Sequence, residues 1–396
     1  MLYRKEGYNL EKGNTPRFNR KFRLSHIIII CLIAIAVTAA STYFIVMSSF
    51  GSKQYLNDAK KFVEIEKIID ERFIGECEDS VLYDAAAAAM VKSLDDKWSY
   101  YMSAEQYETY KLSSANEYAG IGVSVKLTDS GKFEITDVYS GTPAYSAGLK
   151  PGQYIISIDG ESVEGKTLEE VETLIRSKLN KDFTMVLDSD GDELSVKLSC
   201  SILFKDPVSS SMLEGHVGYI KISNFEAGSS ENTIKAVEKL IAAGADSFIF
   251  DVRSNPGGLL SELCSLLDYI LPEGDLFVSI DRAGNETVEK SDKISLGNKM
   301  TVLVNENTYS AAEFFAAALQ EYHWATVIGQ QTTGKSRSQV TIELTDGSAV
   351  HLSTNKYLTP NRVDLAEVGG VVPDITVKND STTGDPVRDA ALKALK

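Results

Sequence analysis

The chain is poor in several residue types, and each scarcity excludes something. It has 396 residues but only 9 prolines, 4 cysteines and 4 histidines. Cys31 sits in an apolar run, and Cys77, Cys200 and Cys264 are far apart and odd in number, so no disulfide scaffold is expected. The histidines (His26, His216, His323 and His351) form no HExxH or paired-ligand pattern, and the cysteine spacings suit no metal cluster. No metal and no cofactor is expected. Positive charge is also short: Lys plus Arg total 40 against 56 Asp plus Glu, a formal charge of −16. A nucleic-acid binder needs a basic face, so that class is set aside. With 43% apolar and 24% charged residues and no repeat of solenoid period, the chain reads as globular, with room for two or three domains of ~100–200 residues.

The charge is unevenly spread. Residues 1–25 hold seven basic groups (Arg4, Lys5, Lys12, Arg17, Arg20, Lys21, Arg23) against Glu6 and Glu11, and an uncharged run from Ile27 to Met47 follows. As a helix that run reaches ~31 Å, the thickness of a bilayer's hydrocarbon core. The positive-inside bias then keeps the N-terminus in the cytoplasm and exports the acidic remainder. The rival is a cleaved signal peptide with Ile27–Val37 as its apolar core and Thr38–Ser41 as its cleavage region. The run Tyr43-Phe-Ile-Val-Met47 continues past any such cut and favours a single-pass anchor.

Beyond the anchor, Asp58 to about Ser113 is helix-forming and reads as a spacer or oligomerisation arm, with Trp98, Tyr100 and Tyr101 able to pack it onto something larger. From Tyr118 to Cys200 the period changes. Phe133–Tyr139 and Tyr154–Ile158 read as strands, and Thr167-Leu-Glu-Glu170 is a capping box opening an amphipathic helix. Phe183–Leu187 and Leu194–Leu198 form a hairpin through Asp190-Gly191. From Pro207 to about Lys378, strands (Val217–Ile222, Ser247–Val252, Met300–Val304, Ala325–Ile328) alternate with helices (Asn232–Ala243, Leu259–Leu271, Ala311–His323), the pattern of an α/β core. Val340–Leu344 and Ser348–Leu352 add a hairpin through Asp346-Gly347, and Asp385–Lys396 reads as a short basic helix.

Two motifs in this core carry chemistry. Gly329-Gln-Gln-Thr-Thr-Gly334-Lys335-Ser336 matches GxxxxGK[ST], with Ser247–Asp251 as a nominal Walker B strand. A phosphate cradle needs a helix after Lys-Ser, and residues Ser338–Leu344 instead alternate as a strand. A P-loop ATPase is therefore the weakest of the rivals. Asn307-Thr-Tyr-Ser310-Ala-Ala-Glu313 lies between an apolar strand and an amphipathic helix. Ser310-x-x-Glu313 is itself a capping box, yet the same corner suits an exposed nucleophile, because the Ala311 amide faces any oxyanion formed beside it. Pattern alone does not choose.

Resemblance does. The segment with Gly120-Ile-Gly-Val123 and Ser140-Gly-Thr-Pro-Ala144 running on to Ala147-Gly-Leu-Lys-Pro-Gly152 resembles a PDZ domain, with Gln153 where Asp is usual. Its loop Gly120, Ile121, Gly122 and Val123 would offer backbone amides to a peptide's terminal carboxylate while the peptide adds a strand. The whole exported part resembles the carboxy-terminal processing (tail-specific) serine proteases. Gly218-Tyr-Ile-Lys-Ile-Ser-Asn-Phe225, Asp251-Val-Arg-Ser-Asn-Pro-Gly-Gly258, the Ser310 corner, and Gly334-Lys335 followed by Gln339 stand in that family's order. The resemblance implies Ser310 as nucleophile, Lys335 as general base, Gln339 as the group orienting the lysine, and the amides of Ala311 and Gly257 or Gly258 as the oxyanion hole. Where the family shows small residues around its nucleophile, this chain has Asn307, Thr308, Tyr309 and Ala312. A lysine base must be neutral, and an exposed one with pKa near ~10.4 is not, so Lys335 must be buried.

The expected architecture is α+β and multidomain: a cytoplasmic tail (1–25), a transmembrane anchor (26–47), a helical arm (48–115), a PDZ-like β-rich domain (116–201), an α/β serine protease core with an added β-hairpin (202–380) and a C-terminal helix (381–396). The expected function is a membrane-anchored serine endopeptidase, its catalytic part extracytoplasmic, that binds C-terminal tails of exported proteins and cleaves them through a Ser-Lys acyl-enzyme. Its partners would be such proteins or peptides, with self-association left open. The alternative is a catalytically silent, membrane-tethered PDZ adaptor.

Overall fold

The computed structural model describes residues 24–378 and 384–396, and the expected tail over 1–25 lies almost wholly outside them. The chain divides into two compact units, Met1–Tyr83 and Asp84–Lys396. In the first, one helix runs Leu24–Phe50, and its segment His26–Val46 has mean hydropathy 2.4. That helix is long and apolar enough to cross a membrane, and a signal sequence has the same composition. A second helix, Lys53–Arg72, is capped by Ser52 and buries none of its side chains.

The second unit is built on a six-stranded sheet in the order Val208–Leu213, Val217–Ile222, Ser247–Asp251, Lys299–Val304, Ala325–Gly329, Ile375–Thr376. The first pair is antiparallel and the rest are parallel. Parallel strands are covered on both faces, so they are apolar without alternation. Ser247–Asp251 is accordingly buried at every residue. Helices Ser229–Ala242, Leu260–Ile270 and Ala311–Glu321 cross between the strands, and Phe225, Phe250 and Phe315 pack among them. The consequence for function is topological. The segments after Ser247–Asp251, Lys299–Val304 and Ala325–Gly329 all leave the carboxyl ends of adjacent parallel strands, the edge where α/β sheets form their crevices.

A second sheet walls that crevice. The hairpin expected near Val340–Leu352 is longer, Arg337–Glu343 with Ala349–Leu358, and it joins Gly274–Asp281 and Glu286–Ser291. Tyr100–Met102 pairs with Ala349–His351 as a further strand. The arm expected over 48–115 is thus divided: its end, from Asp84, belongs to the same compact unit as the core.

Residues between Glu117 and Phe204 form a smaller β-rich body. Its sheet runs Val123–Leu127, Phe133–Val138, Tyr154–Ile158, Asp182–Ser189, Asp192–Ser199, with Val123–Leu127 at one edge. The helix Leu168–Arg176 opens on the capping box read from the sequence, with Thr167 and Glu170 in reciprocal bonds. Its core, from Ile121 to Cys200, is separate from that of the larger sheet.

Candidate active site

Ser310 stands where the strand Lys299–Val304 turns into the helix Ala311–Glu321, with φ 60° and ψ −132°. For a residue with a side chain this backbone is strained, at a cost of order 1–3 kcal/mol, and it persists only where the surroundings hold it. It is the geometry of a nucleophile elbow, which lifts a hydroxyl clear of the sheet. Ser310 and Glu313 keep the capping-box arrangement, but the serine makes no side-chain cap bond. The Glu313 amide donates to the Ser310 carbonyl at 2.8 Å instead.

The surroundings that hold the corner are identifiable. The Glu313 carboxylate, fully buried, accepts from the amides of Ser310 (2.9 Å), Gly334 (2.6 Å) and Lys335 (2.8 Å) and from the Thr332 hydroxyl (2.5 Å). It therefore ties the serine's corner to the lysine's loop. Thr308, also fully buried, donates its hydroxyl to Val252 O at 2.9 Å, and the Tyr309 amide reaches Asn255 O at 3.2 Å. These bonds seat the corner on the segment Asp251–Gly258.

That segment brings its glycines against the serine. A Cβ on Gly257 would lie 2.8 Å from both Ser310 Cβ and Ala311 N, and one on Gly258 would lie 2.3 Å from the Phe225 carbonyl carbon. Nothing larger than glycine fits either place. The Gly257 amide donates to Asn255 Oδ1 at 2.8 Å, so it is committed within its own loop. Of the two glycines named from the sequence, Gly258 is the one whose amide carries no such bond among the described residues, as is the first-turn amide of Ala311. Arg253 clamps the segment from behind, bonding Asp251 (2.5 Å) and Asp385 (2.7 Å) at the start of the helix Pro386–Ala394.

Ser310, Lys335, Gln339, Gly257, Gly258 and Ala311 all line one cavity of about 310 Å³. Burial lowers the Lys335 ammonium to about 8, against the upward pull of Asp96 and Glu313. The strand Arg337–Glu343 follows it directly, so the expectation that no phosphate-cradling helix follows Lys335-Ser336 agrees with the observed backbone. Among the described residues no hydrogen bond joins Lys335 to Ser310. Lys335 Nζ lies over the ring of Trp98, 4.4 Å from its centroid, and 5.8 Å from that of Tyr309. The two rings stack at 5.8 Å. No hydrogen bond joins Gln339 to the lysine either among the described residues, and its amide nitrogen donates to Arg337 O (2.9 Å) and Ser353 Oγ (3.0 Å).

Three residues were not picked out as site residues from the sequence, two that line the cavity and one, Trp98, that packs on its Lys335 and Tyr309. Trp98 arrives from the arm, carried by Ser99, whose hydroxyl accepts from the Ser353 amide at 2.9 Å. Its proximity to Lys335 has no local signature. His351 lines the cavity, with Nδ1 2.8 Å from Thr341 Oγ1 and its ring 4.7 Å from that of Tyr100. Burial first, then Lys335, lowers it to about 4. Glu226 is the third, and burial together with Glu262 raises it to about 7. Among the described residues no cluster of His, Cys, Asp or Glu could hold a metal, and the four cysteines are free.

The loop Gly120–Val123 lies in the β-rich body and leads into its edge strand. The carbonyls of Ile121 and Gly122 accept from the Ala144 amide (2.9 Å) and the Tyr139 amide (3.0 Å), which fixes the loop. The edge of Val123–Leu127 facing away from Phe133–Val138 is unpaired within that sheet.

A strained serine, a half-buried lysine and paired glycines in one crevice suit a serine-type peptidase, and comparison with known proteins gives that class. Residues 216–377 match the family model for peptidase family S41, residues 134–188 that for a PDZ domain, and residues 37–106 that for the activating protease CtpB N-terminal domain. The loop Gly120–Val123 precedes the matched PDZ segment. The carboxy-terminal processing protease CtpA of Bacillus subtilis is 32% identical over 369 residues, covering 91% of this chain and 79% of the relative. The carboxyl-terminal-processing protease of Synechocystis sp. is 31% identical over 301 residues, covering 74% and 70%. A putative S41 protease from Bacteroides fragilis shares the fold, with TM-score 0.53 and 19% identity over 81% of this chain and 92% of that one. The chain belongs to the carboxy-terminal processing proteases, with a PDZ domain and a mixed α/β protease fold.

Proposed function

We propose that the protein is a membrane-anchored endopeptidase in which Ser310 attacks the scissile carbonyl and Lys335 is its general base. The observation that carries this reading is the strained backbone of Ser310, whose amide bonds the Glu313 carboxylate, while three further bonds to that carboxylate fix the lysine's loop. Lys335 leaves the Trp98 face and reaches Ser310 when substrate fills the cavity, its four rotatable bonds allowing the swing; catalytic hydrogen bonds commonly tighten only in the loaded enzyme. Neutral Lys335 takes the Ser310 proton as Oγ bonds to the carbonyl carbon, and the amides of Ala311 and Gly258 hold the oxyanion. Lys335 then returns the proton to the leaving amine, and water hydrolyses the ester by the same steps.

The loop Gly120–Val123 and the edge strand Val123–Leu127 suit a peptide's C-terminal carboxylate and an added strand, which supports tail recognition by the PDZ domain. The helix over His26–Val46 supports anchoring, with the catalytic unit outside the cell.

The test is cleavage of an unfolded protein by wild type, Ser310→Ala and Lys335→Ala, with a pH profile of kcat/KM. Both variants should lose at least about a thousandfold. Because the base must be neutral, the wild-type rate should rise with pH through about 8. A rising limb near 4 would transfer the role to His351, and undiminished activity in both variants would remove the dyad altogether.

A further inference from the structure

The cavity beside Ser310 contains one acidic group that the proposed chemistry does not use. Glu226 follows Phe225, whose backbone packs against Gly258 so closely that a Cβ there would lie 2.7 Å from Glu226 N. Phe225 also bridges to Gly258 as a parallel pair, and Gly257 in turn touches Ser310 Cβ. Gly257 and Gly258 therefore link the backbone at Glu226 to the serine's corner. Its amide is used, donating to Asn224 Oδ1 at 3.0 Å, but its carboxylate has no hydrogen bond or ion pair among the described residues. The cavity also presents the apolar side chains of Leu260, Leu263, Phe277 and Phe314.

We propose that Glu226 is a specificity-determining residue, which receives the cationic head of a lysine or arginine side chain next to the scissile bond of the substrate. A long aliphatic stem suits the apolar lining side chains, and an ammonium or guanidinium suits an unpaired carboxylate among them. The backbone neighbour of Glu226, Phe225, packs on Gly258, whose amide would hold the oxyanion, and an ionised, uncompensated carboxylate lining the same cavity opposes the transition state. A basic substrate side chain neutralises it. Selection is therefore double: cationic peptides gain a partner, and neutral or acidic ones leave a buried charge unpaired.

The groups facing Glu226 are few. Glu262 repels it, but its own carboxylate is engaged by the amides of Gly228 (3.1 Å) and Ser230 (2.8 Å) and by the Ser229 hydroxyl (3.4 Å). Tyr100 faces it as a phenol. Lys335 and His351 line the same cavity, the first engaged with Trp98 and the second with Thr341. Burial holds Glu226 near 7, so the preference should strengthen as pH rises through that value.

This inference rests on the Ser310 reading, and the experiment separates the two. Peptides differing only by Lys or Met at each position flanking the cleavage site are hydrolysed by wild type, Glu226→Gln and Glu226→Lys. The ratio of kcat/KM for a Lys/Met pair cancels the titration of the base. It should be about tenfold or more at pH 8 in wild type and smaller at pH 6. It should fall to about one in Glu226→Gln, while Glu226→Lys should prefer a Glu peptide. A ratio near one in wild type, a ratio retained in Glu226→Gln, or a preference for Met in wild type would overturn the assignment, the last giving the cavity to an apolar side chain. Binding of the same peptides to Ser310→Ala should follow the same order, and equal binding counts against Glu226 even where no turnover is seen. Cleavage that survives Ser310→Ala would instead overturn the reading beneath it.

Discussion

At the scale of single residues, the two side chains proposed to react are kept in states they do not favour. Ser310 adopts a backbone that glycine would take more readily. Lys335 is buried enough to fall to about 8, yet it rests on the face of Trp98, which favours the charged ammonium. The two influences oppose each other. Burial favours the neutral base, and a cation–π contact of ~0.5–2 kcal/mol favours the cation. Removing the ring while keeping the burial should therefore release the base. In Trp98→Leu the rising limb of kcat/KM should move to lower pH by up to about one unit, and the rate at pH 7 should increase several-fold. A pH profile of the variant beside wild type checks this. A limb displaced upward would mean that the indole's main service is to keep water from the ammonium.

At the scale of elements, Glu313 in the first turn of the helix Ala311–Glu321 has a wider role than capping. The sequence offered it as the third residue of a capping box, and that reading is right as far as it goes. It could not reveal that the same carboxylate also collects Thr332, Gly334 and Lys335 from the loop after Ala325–Gly329, because those partners are 19 to 22 residues away. Glu313→Gln keeps the shape but places an amide NH2 among four donors. It should cost roughly 2–4 kcal/mol of stability and lower kcat far more than it raises KM. Thermal unfolding and steady-state kinetics on one preparation test both, and a variant with wild-type kcat would show that the two loops hold themselves in place. The same contrast explains what was legible. Strands such as Ser247–Asp251 and the helix after Thr167 follow from local periodicity and capping, so they could be read directly. Trp98 on Lys335, the pairing of Tyr100–Met102 with Ala349–His351, and the bonds that Gln339 makes to Arg337 and Ser353 depend on how the hairpin Arg337–Leu358 is set against distant segments. Glu226 carries no signal in the sequence, because nothing local distinguishes a carboxylate facing solvent from one facing a cavity.

At the scale of the whole molecule, the larger unit holds three hydrophobic clusters, two in the protease part and one in the β-rich body, that do not share residues. Every buried residue of the β-rich body's core lies between Ile121 and Cys200, whereas those of the main protease core begin at Ile220. The two strands leading in and out, Glu117–Gly120 and Ser201–Phe204, pair antiparallel with Gly120 opposite Ser201. Their foot is fixed to the protease by Asn116, which donates to Ala227 O at 2.9 Å and accepts from Asn224 Nδ2 at 2.8 Å. Residues 121–200 can therefore be replaced by an Asn-Gly turn, which closes the two strands as a hairpin and leaves Asn116 and the whole protease core in place. If the PDZ domain supplies tail recognition and nothing essential to the chemistry, the shortened chain should fold and still cleave an unfolded protein through Ser310. Its preference for a peptide with a free C-terminal carboxylate over the amidated peptide should fall to about one. Retained preference would place tail recognition in the protease core, and complete loss of cleavage in a folded variant would make the PDZ domain part of the machinery that brings Lys335 to Ser310.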